Sequence, residues 1–179
     1  MTAHHDLEKA KEMLKTVSTN DWLAHSLGTW QWWLLLVSSI VPWILWWKYA
    51  DKERGRELII VGLITMVVTD TLDSLGTFYN LWGYPIKITP VIIQYLPADF
   101  AVFPVTFMFM CQFLRKWSTF LAATVVVAAI FSYVLEPLFV YMHTYYYNAP
   151  WNHTLSFLGF IITIMMIRLA AYQLLKRLK

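Results

Sequence analysis

TDTLDSLGTFYNLWGYPIKITPVIIQYLPADF, residues Thr69–Phe100, is the stretch whose reading decides the fold. It begins inside an apolar run, leaves it through a loop of Gly, Pro and aromatic residues, and enters a second apolar run. Asp70, Asp73 and Asp99 fall within the runs themselves. An ionisable group at hydrocarbon depth is costly, so it normally faces a cavity or a partner and marks function. Glu136 adds a fourth acid in the next apolar run.

The flanking sequence is apolar enough to make those runs membrane spans. Of 179 residues, 59% are hydrophobic and 17% aromatic, more than a soluble domain of this length buries. The net charge is only +3, and the basic residues gather at the ends of apolar runs. That is the pattern of membrane orientation signals and not a nucleic-acid stripe, so no nucleic-acid partner is expected. Cys111, the single cysteine, excludes an intrachain disulfide and a Cys-based zinc cluster. Its neighbours Met108, Met110 and Phe113 read as packing. The first apolar run starts near Trp30, too late and too long for a signal h-region, so it is expected to remain in the mature protein.

Five spans are predicted, at Thr29–Trp47, Glu57–Phe78, Val91–Leu114, Trp117–Tyr141 and Trp151–Tyr172. Each is long enough to cross a core of about 30 Å at about 1.5 Å per residue. Trp30, Trp32 and Trp33 at one end of the first span, with Trp43, Trp46 and Trp47 at the other, are the expected interfacial belts. Pro42 predicts a kink there. Pro97 and Pro104 interrupt the third span, whose first part reads as a broken or re-entrant segment lining a cavity. Upstream, DLEKAKEMLKTV at residues 6–17 puts Leu7, Ala10, Met13 or Leu14, and Val17 on one face of a surface helix. Asn20-Asp21 is expected to cap a second helical turn starting near Trp22. The fold class is therefore all-α, a polytopic transmembrane helical bundle of five spans plus an N-terminal amphipathic helix. Residues 1–28 form the external amphipathic segment, and residues 29–179 the bundle with its basic tail.

Lys48, Lys52, Arg54 and Arg56 crowd the first loop, Arg115 and Lys116 the third, and Arg168, Lys176, Arg177 and Lys179 the last segment. The second loop holds Lys87 alone, and the fourth has no basic residue. Positive-inside then puts the C-terminus in the cytoplasm and the N-terminus outside a cell membrane.

In that topology Asp73 lies about 8 Å below the outer end of its span, Asp70 a turn deeper, Asp99 about 12 Å down and Glu136 about 8 Å down. Asp70, Asp73, Asp99 and Glu136 are thus the candidate catalytic acids of one outward-opening pocket. Gln94, His143, His153 and Ser156 are its expected rim. Carboxyls crowded in low dielectric do not all ionise, which suits general acid chemistry or proton transfer. With His143 or His153 the same acids suit a divalent cation; no other cofactor is expected. Plainer roles compete. Asp99 after Pro97 suits a helix cap, and Glu136 before Pro137 suits a hydrogen bond at a kink. Asp70 suits a Thr–Asp–Gln network between helices that takes in Gln94 and Gln112. Arg168 is expected to snorkel, and Asn152-His153-Thr154 matches a glycosylation sequon.

At YLPADFAVFP, WGYP and LEPLF the sequence resembles a family of small multi-spanning membrane proteins from spore-forming Bacillus and Clostridium relatives. The likeness covers residues 30–172, with Pro97, Asp99, Pro104, Glu136 and Pro137 as its signature. It implies a topology and no activity. A fainter resemblance is to membrane lycopene cyclases of the small, few-span type, which carry a Pro-x-Glu-Glu/Asp element in a membrane helix. Pro97-Ala98-Asp99-Phe100 has one acid where that element has two.

Three functions follow from the acids. The first is binding or modifying a lipid or isoprenoid-like apolar ligand at an acidic outer-leaflet pocket, with membrane lipids as partners. The second is a non-catalytic structural, assembly or sensory subunit that meets a membrane-protein partner or a second copy. The third is cation or proton binding. LIIVGLI, VVVAAI and IITIMMI fill the inner halves of three spans, which argues against a continuous polar pathway.

Overall fold

A computed structural model describes residues 2–91 and 95–177. Among the described residues the regular structure is helical apart from one two-residue antiparallel pair. Helix α1, Thr2–Asp21, runs straight into a π-helical turn at Trp22–Ser26. The break expected at Asn20-Asp21 does not occur. Asp21 keeps helical angles and caps nothing, its carboxylate being taken by His25 Nδ1 at 3.0 Å. The chain turns instead at Gly28, whose φ of +76° suits a residue without Cβ. Thr29 then caps α2, Trp30–Tyr49, by accepting the Trp32 N–H. Pro42 does not break that helix.

Helix α3 is Gly55–Phe78. Helix α4, Phe103–Phe113, is entered through a π turn at Ala98–Val102. Helix α5, Trp117–Ile130, continues through a π turn at Phe131–Leu135 into α6, Glu136–Tyr141, and α7 is His153–Arg177. Three stretches, Gly55–Phe78, Trp117–Tyr141 and His153–Arg177, are long and apolar enough to cross a membrane; Ala98–Phe113 is apolar but shorter. The third predicted span thus starts later than expected. Among the described residues helix begins at Leu96, with Pro97 in its first turn, where a missing N–H donor goes unused.

The core lies where α3 packs on α4 and α7, and α5 on α7. Leu58, Phe107, Met108, Phe120, Ile164 and Ile167 fill it. The buried face of α3 reads Leu58, Gly62, Thr65, Thr69, Asp73, Gly76, at helical spacing. Thr65 and Thr69 donate back to the carbonyls of Val61 and Thr65, at 2.8 and 3.0 Å, so their hydroxyls are buried satisfied. The opposite faces of these helices are exposed and apolar: Leu63 and Val67 on α3, Val125 and Val126 on α5, Leu158 and Ile162 on α7. Apolar residues both inside and out are what helices surrounded by hydrocarbon require.

Each end of the bundle is tied by polar groups. At one end Gln112 accepts from Asp51 N at 3.0 Å and donates to Tyr49 O at 2.9 Å. Arg168 lies over the Phe120 and Trp117 rings, its guanidinium carbon 3.8 and 4.8 Å from their centroids, and donates to Arg115 O. Its head is thus held beside the residues that join α4 to α5. The other end is a cap made of residues 79–91 and 142–152. They are joined by β1, Trp82–Gly83, against β2, Tyr146–Tyr147, with Trp82 opposite Tyr147 and Gly83 opposite Tyr146. Asn148 N donates to Leu81 O at 2.8 Å beside that pair.

Candidate functional site

The four acids meet the cap, but not in one place. Asp73 projects from the last turns of α3 and is 7% exposed. Its Oδ1 accepts Trp82 Nε1 and Tyr84 Oη, both at 2.6 Å, and its Oδ2 accepts Tyr95 N at 3.0 Å. Donors two residues apart in extended chain point to the same side, so Trp82 and Tyr84 reach one carboxylate together. The Trp82 indole can lie there because residue 76 is glycine, where a Cβ would overlap the six-membered ring. One carboxylate therefore latches two points of the cap, and the Tyr95 backbone beyond it, onto α3.

Asp99 sits beside this latch at 3% exposure, in the π turn that opens α4. Asp73 and Asp70 are its acidic neighbours. Its Oδ2 has no hydrogen-bond partner among the described residues. It does not cap the helix after Pro97: the chain there is already helical, and no cap bond forms. Asp70, half-buried one turn along α3, faces Asp99 electrostatically without joining the latch. Gln94 lies outside the described residues.

Glu136 belongs to a separate cluster. Its Oε2 lies 3.0 Å from His153 Nδ1, and His153 Nε2 lies 3.3 Å from Tyr147 Oη. Ser156 completes it, bonded to Glu136 and accepting Trp151 Nε1 at 2.8 Å. A carboxyl group on one imidazole nitrogen and a phenol on the other hold the ring in place. His143 stands apart, exposed in a left-handed turn at φ 56°. Asn152 is the N-cap of α7, its Oδ1 accepting Thr154 N at 3.0 Å and Leu155 N at 3.1 Å.

Aromatic rings connect the two clusters. Tyr84 stacks on Tyr95 at 4.5 Å and meets Tyr145 at 5.7 Å; Tyr145 meets Tyr147 at 6.3 Å, and Tyr147 meets the His153 ring at 4.9 Å. Burial, then the Asp73 charge and hydrogen bond, hold the Tyr84 phenol well above its ordinary range. Burial, then Glu136 and Asp73, do the same for Tyr145. Both phenols are thus neutral donors at neutral pH.

None of the four acids lines either of two clefts on the surface of the described residues. One, about 440 Å³, is a shallow apolar groove on α2 between Ser39, Ile40, Trp43, Ile44 and Trp47. The other, about 200 Å³, is polar and lies between the end of α1 and the cap. Ser18, Asp21, Trp22, Tyr84, Lys87 and Tyr146 are among its walls. It is held open by bonds from α1 to the cap: Ser18 Oγ to Pro90 O at 2.7 Å, and Trp22 Nε1 to the Lys87 and Ile88 carbonyls at 3.1 Å. Among the described residues no three His, Cys, Asp or Glu side chains come together as a metal site. The cation reading of the acids therefore finds no ligand set there.

No family model, curated protein or solved structure matches this chain. The residues that sequence reasoning missed are Trp82, Tyr84, Tyr95, Tyr147, Asp21 and Lys87. The i, i+2 spacing of Trp82 and Tyr84 was the one local signal of a shared target.

Proposed function

We propose that the chain is a multi-pass membrane protein that binds a lipid by its headgroup at the capped end of the bundle. In this reading α2, α3, the segment from Ala98 to Phe113, α5 with α6, and α7 make five crossings. The Lys/Arg asymmetry of the loops supports a cap facing outward, with the end around Gln112 facing the cytoplasm. Helix α1 lies at the outer surface, and its apolar residues Leu7, Leu14 and Val17 are exposed for contact with the bilayer interface.

The observation that carries the lipid reading is the polar cleft of about 200 Å³ between α1 and the cap. It sits beside the Trp22 and Trp32 indoles, both bonded to Ile88 O, at the level where indoles mark headgroups. The acids then act behind the cleft, with Asp73 holding the Tyr84 wall by its hydroxyl. The test is native mass spectrometry of the full chain extracted in mild detergent. A lipid retained one per chain after the annular lipids are stripped supports the reading; loss of all lipid together refutes it.

A second reading, a non-catalytic structural or assembly subunit, is favoured by the latch itself. Among the described residues the three donors to Asp73 come from the chain itself, two from the cap and one from the Tyr95 backbone, as a packing role would arrange them. Lipidomics comparing deletion and wild-type strains separates the two: an unchanged lipid profile favours the subunit.

A further inference from the structure

The polar cleft carries one opposite pair of charges, Lys87 on the cap and Asp21 on α1. They attract one another, yet among the described residues no ion pair within 4.0 Å joins them. Of the other polar walls, Ser18 has used its donor on Pro90 O, Trp22 on the Lys87 and Ile88 carbonyls and Tyr84 on Asp73, while Ser26 is buried and Tyr146 brings only a neutral hydroxyl. Capacity for a ligand therefore rests with the Lys87 ammonium and with the Asp21 carboxylate, whose Oδ1 also holds His25.

We infer that this cleft takes the headgroup of a zwitterionic phospholipid, its phosphate on Lys87 and its ammonium on Asp21. The inference rests on the lipid-binding reading above and adds the class of lipid. A headgroup with one negative and one positive end, laid against this pair, satisfies both charges at once. A purely anionic headgroup would bring its phosphate to Lys87 but lie against the Asp21 carboxylate. Trp22, Tyr84 and Tyr146 also line the cleft and offer ring faces to an ammonium. Burial of Lys87 lowers its pKa, with Asp21 opposing that shift, so the amine has a use for a bound phosphate. Leu14 and Val17 precede Asp21 on the same side of α1 and are exposed, so a ligand with acyl chains gains apolar contact that a free headgroup lacks.

The test is lipid exchange on the full chain in detergent, followed by native mass spectrometry. Phosphatidylethanolamine, phosphatidylcholine and phosphatidylglycerol are offered in equal amounts, with glycerophosphoethanolamine as a chain-free competitor. Both zwitterionic lipids should be retained about tenfold over phosphatidylglycerol, the worth of one charge-assisted contact. Lys87→Ala should lower retention of all three lipids. Asp21→Asn, which keeps an oxygen for His25, should abolish the preference without abolishing binding. The chain-free competitor should not displace lipid at equal concentration. Equal or better retention of phosphatidylglycerol by the wild-type chain overturns the inference and leaves lipid binding standing. So does indifference of the preference to Asp21→Asn, or displacement by the competitor. Retention of no lipid at all overturns both. Unchanged protection of the Trp22 backbone amide from hydrogen exchange in each variant shows that α1 still docks on the cap.

Discussion

Replacing Asp73 by asparagine should open the cap without unfolding the bundle. The amide oxygen, placed where Oδ1 sits, still accepts Trp82 Nε1 and Tyr84 Oη, now without charge. A bond to a charged group is worth roughly 1 kcal/mol more than a neutral one, so these two lose about 2 kcal/mol together. The amide nitrogen then faces Tyr95 N, donor against donor, where Oδ2 accepted at 3.0 Å. Leaving that buried N–H unsatisfied adds about 1–3 kcal/mol. The total of about 3–5 kcal/mol exceeds what a local element normally resists, so the cap should open as a unit while α3, α4 and α7 stay packed. Hydrogen exchange of residues 79–91 and 142–152 in micelles reads this directly, and protection should fall by roughly two decades or more. Asp70→Asn is the control. Asp70 takes no part in the latch, so protection should change by no more than about twofold. If Asp73→Asn shifts cap protection by less than about threefold, the carboxylate is not the latch and the reasoning fails.

Three further outcomes follow from the same structure. Gly76→Ala drives a methyl into the Trp82 ring and should cost about 1–3 kcal/mol in cap protection; Gly62→Ala meets only the flexible end of Met108, its Sδ at 2.8 Å, and should cost less. For pH, Tyr84 and Tyr145 have folded pKa values above their ordinary value of about 10. Above that value the unfolded chain releases protons that the folded one keeps, so cap stability is whole below about pH 10 and is lost as pH rises through the folded values. A phenolate absorbance titration should show late-ionising tyrosines, one fewer in Tyr84→Phe; ionisation of all tyrosines together near pH 10 would contradict the burial argument. For orientation, single cysteines at residues 51–56 should resist an impermeant thiol reagent in intact cells, and one at Asn148 should react. The reverse labelling would invert the assigned topology.

The sequence alone determined where helices run, because run length and indole placement are local properties of the chain. Trp117–Tyr141 was read with the bounds it has, and Gly55–Phe78 within two residues. The end of the bundle where the acids gather was legible for the same reason: depth is a count of residues along a helix. Local signals misled where two of them competed. Asn20-Asp21 offered a cap that the uninterrupted helix did not use. What the acids do at that end needed the tertiary structure. Asp73 and Asp99, on different helices, come side by side, while Glu136 at a similar depth pairs with His153. The donors to Asp73 lie 9, 11 and 22 residues away, in a loop whose course is decided by its pairing with Tyr146–Tyr147. A carboxylate takes whichever donors the folded chain brings within about 3 Å, and that distance is set by packing between segments and not by periodicity within them.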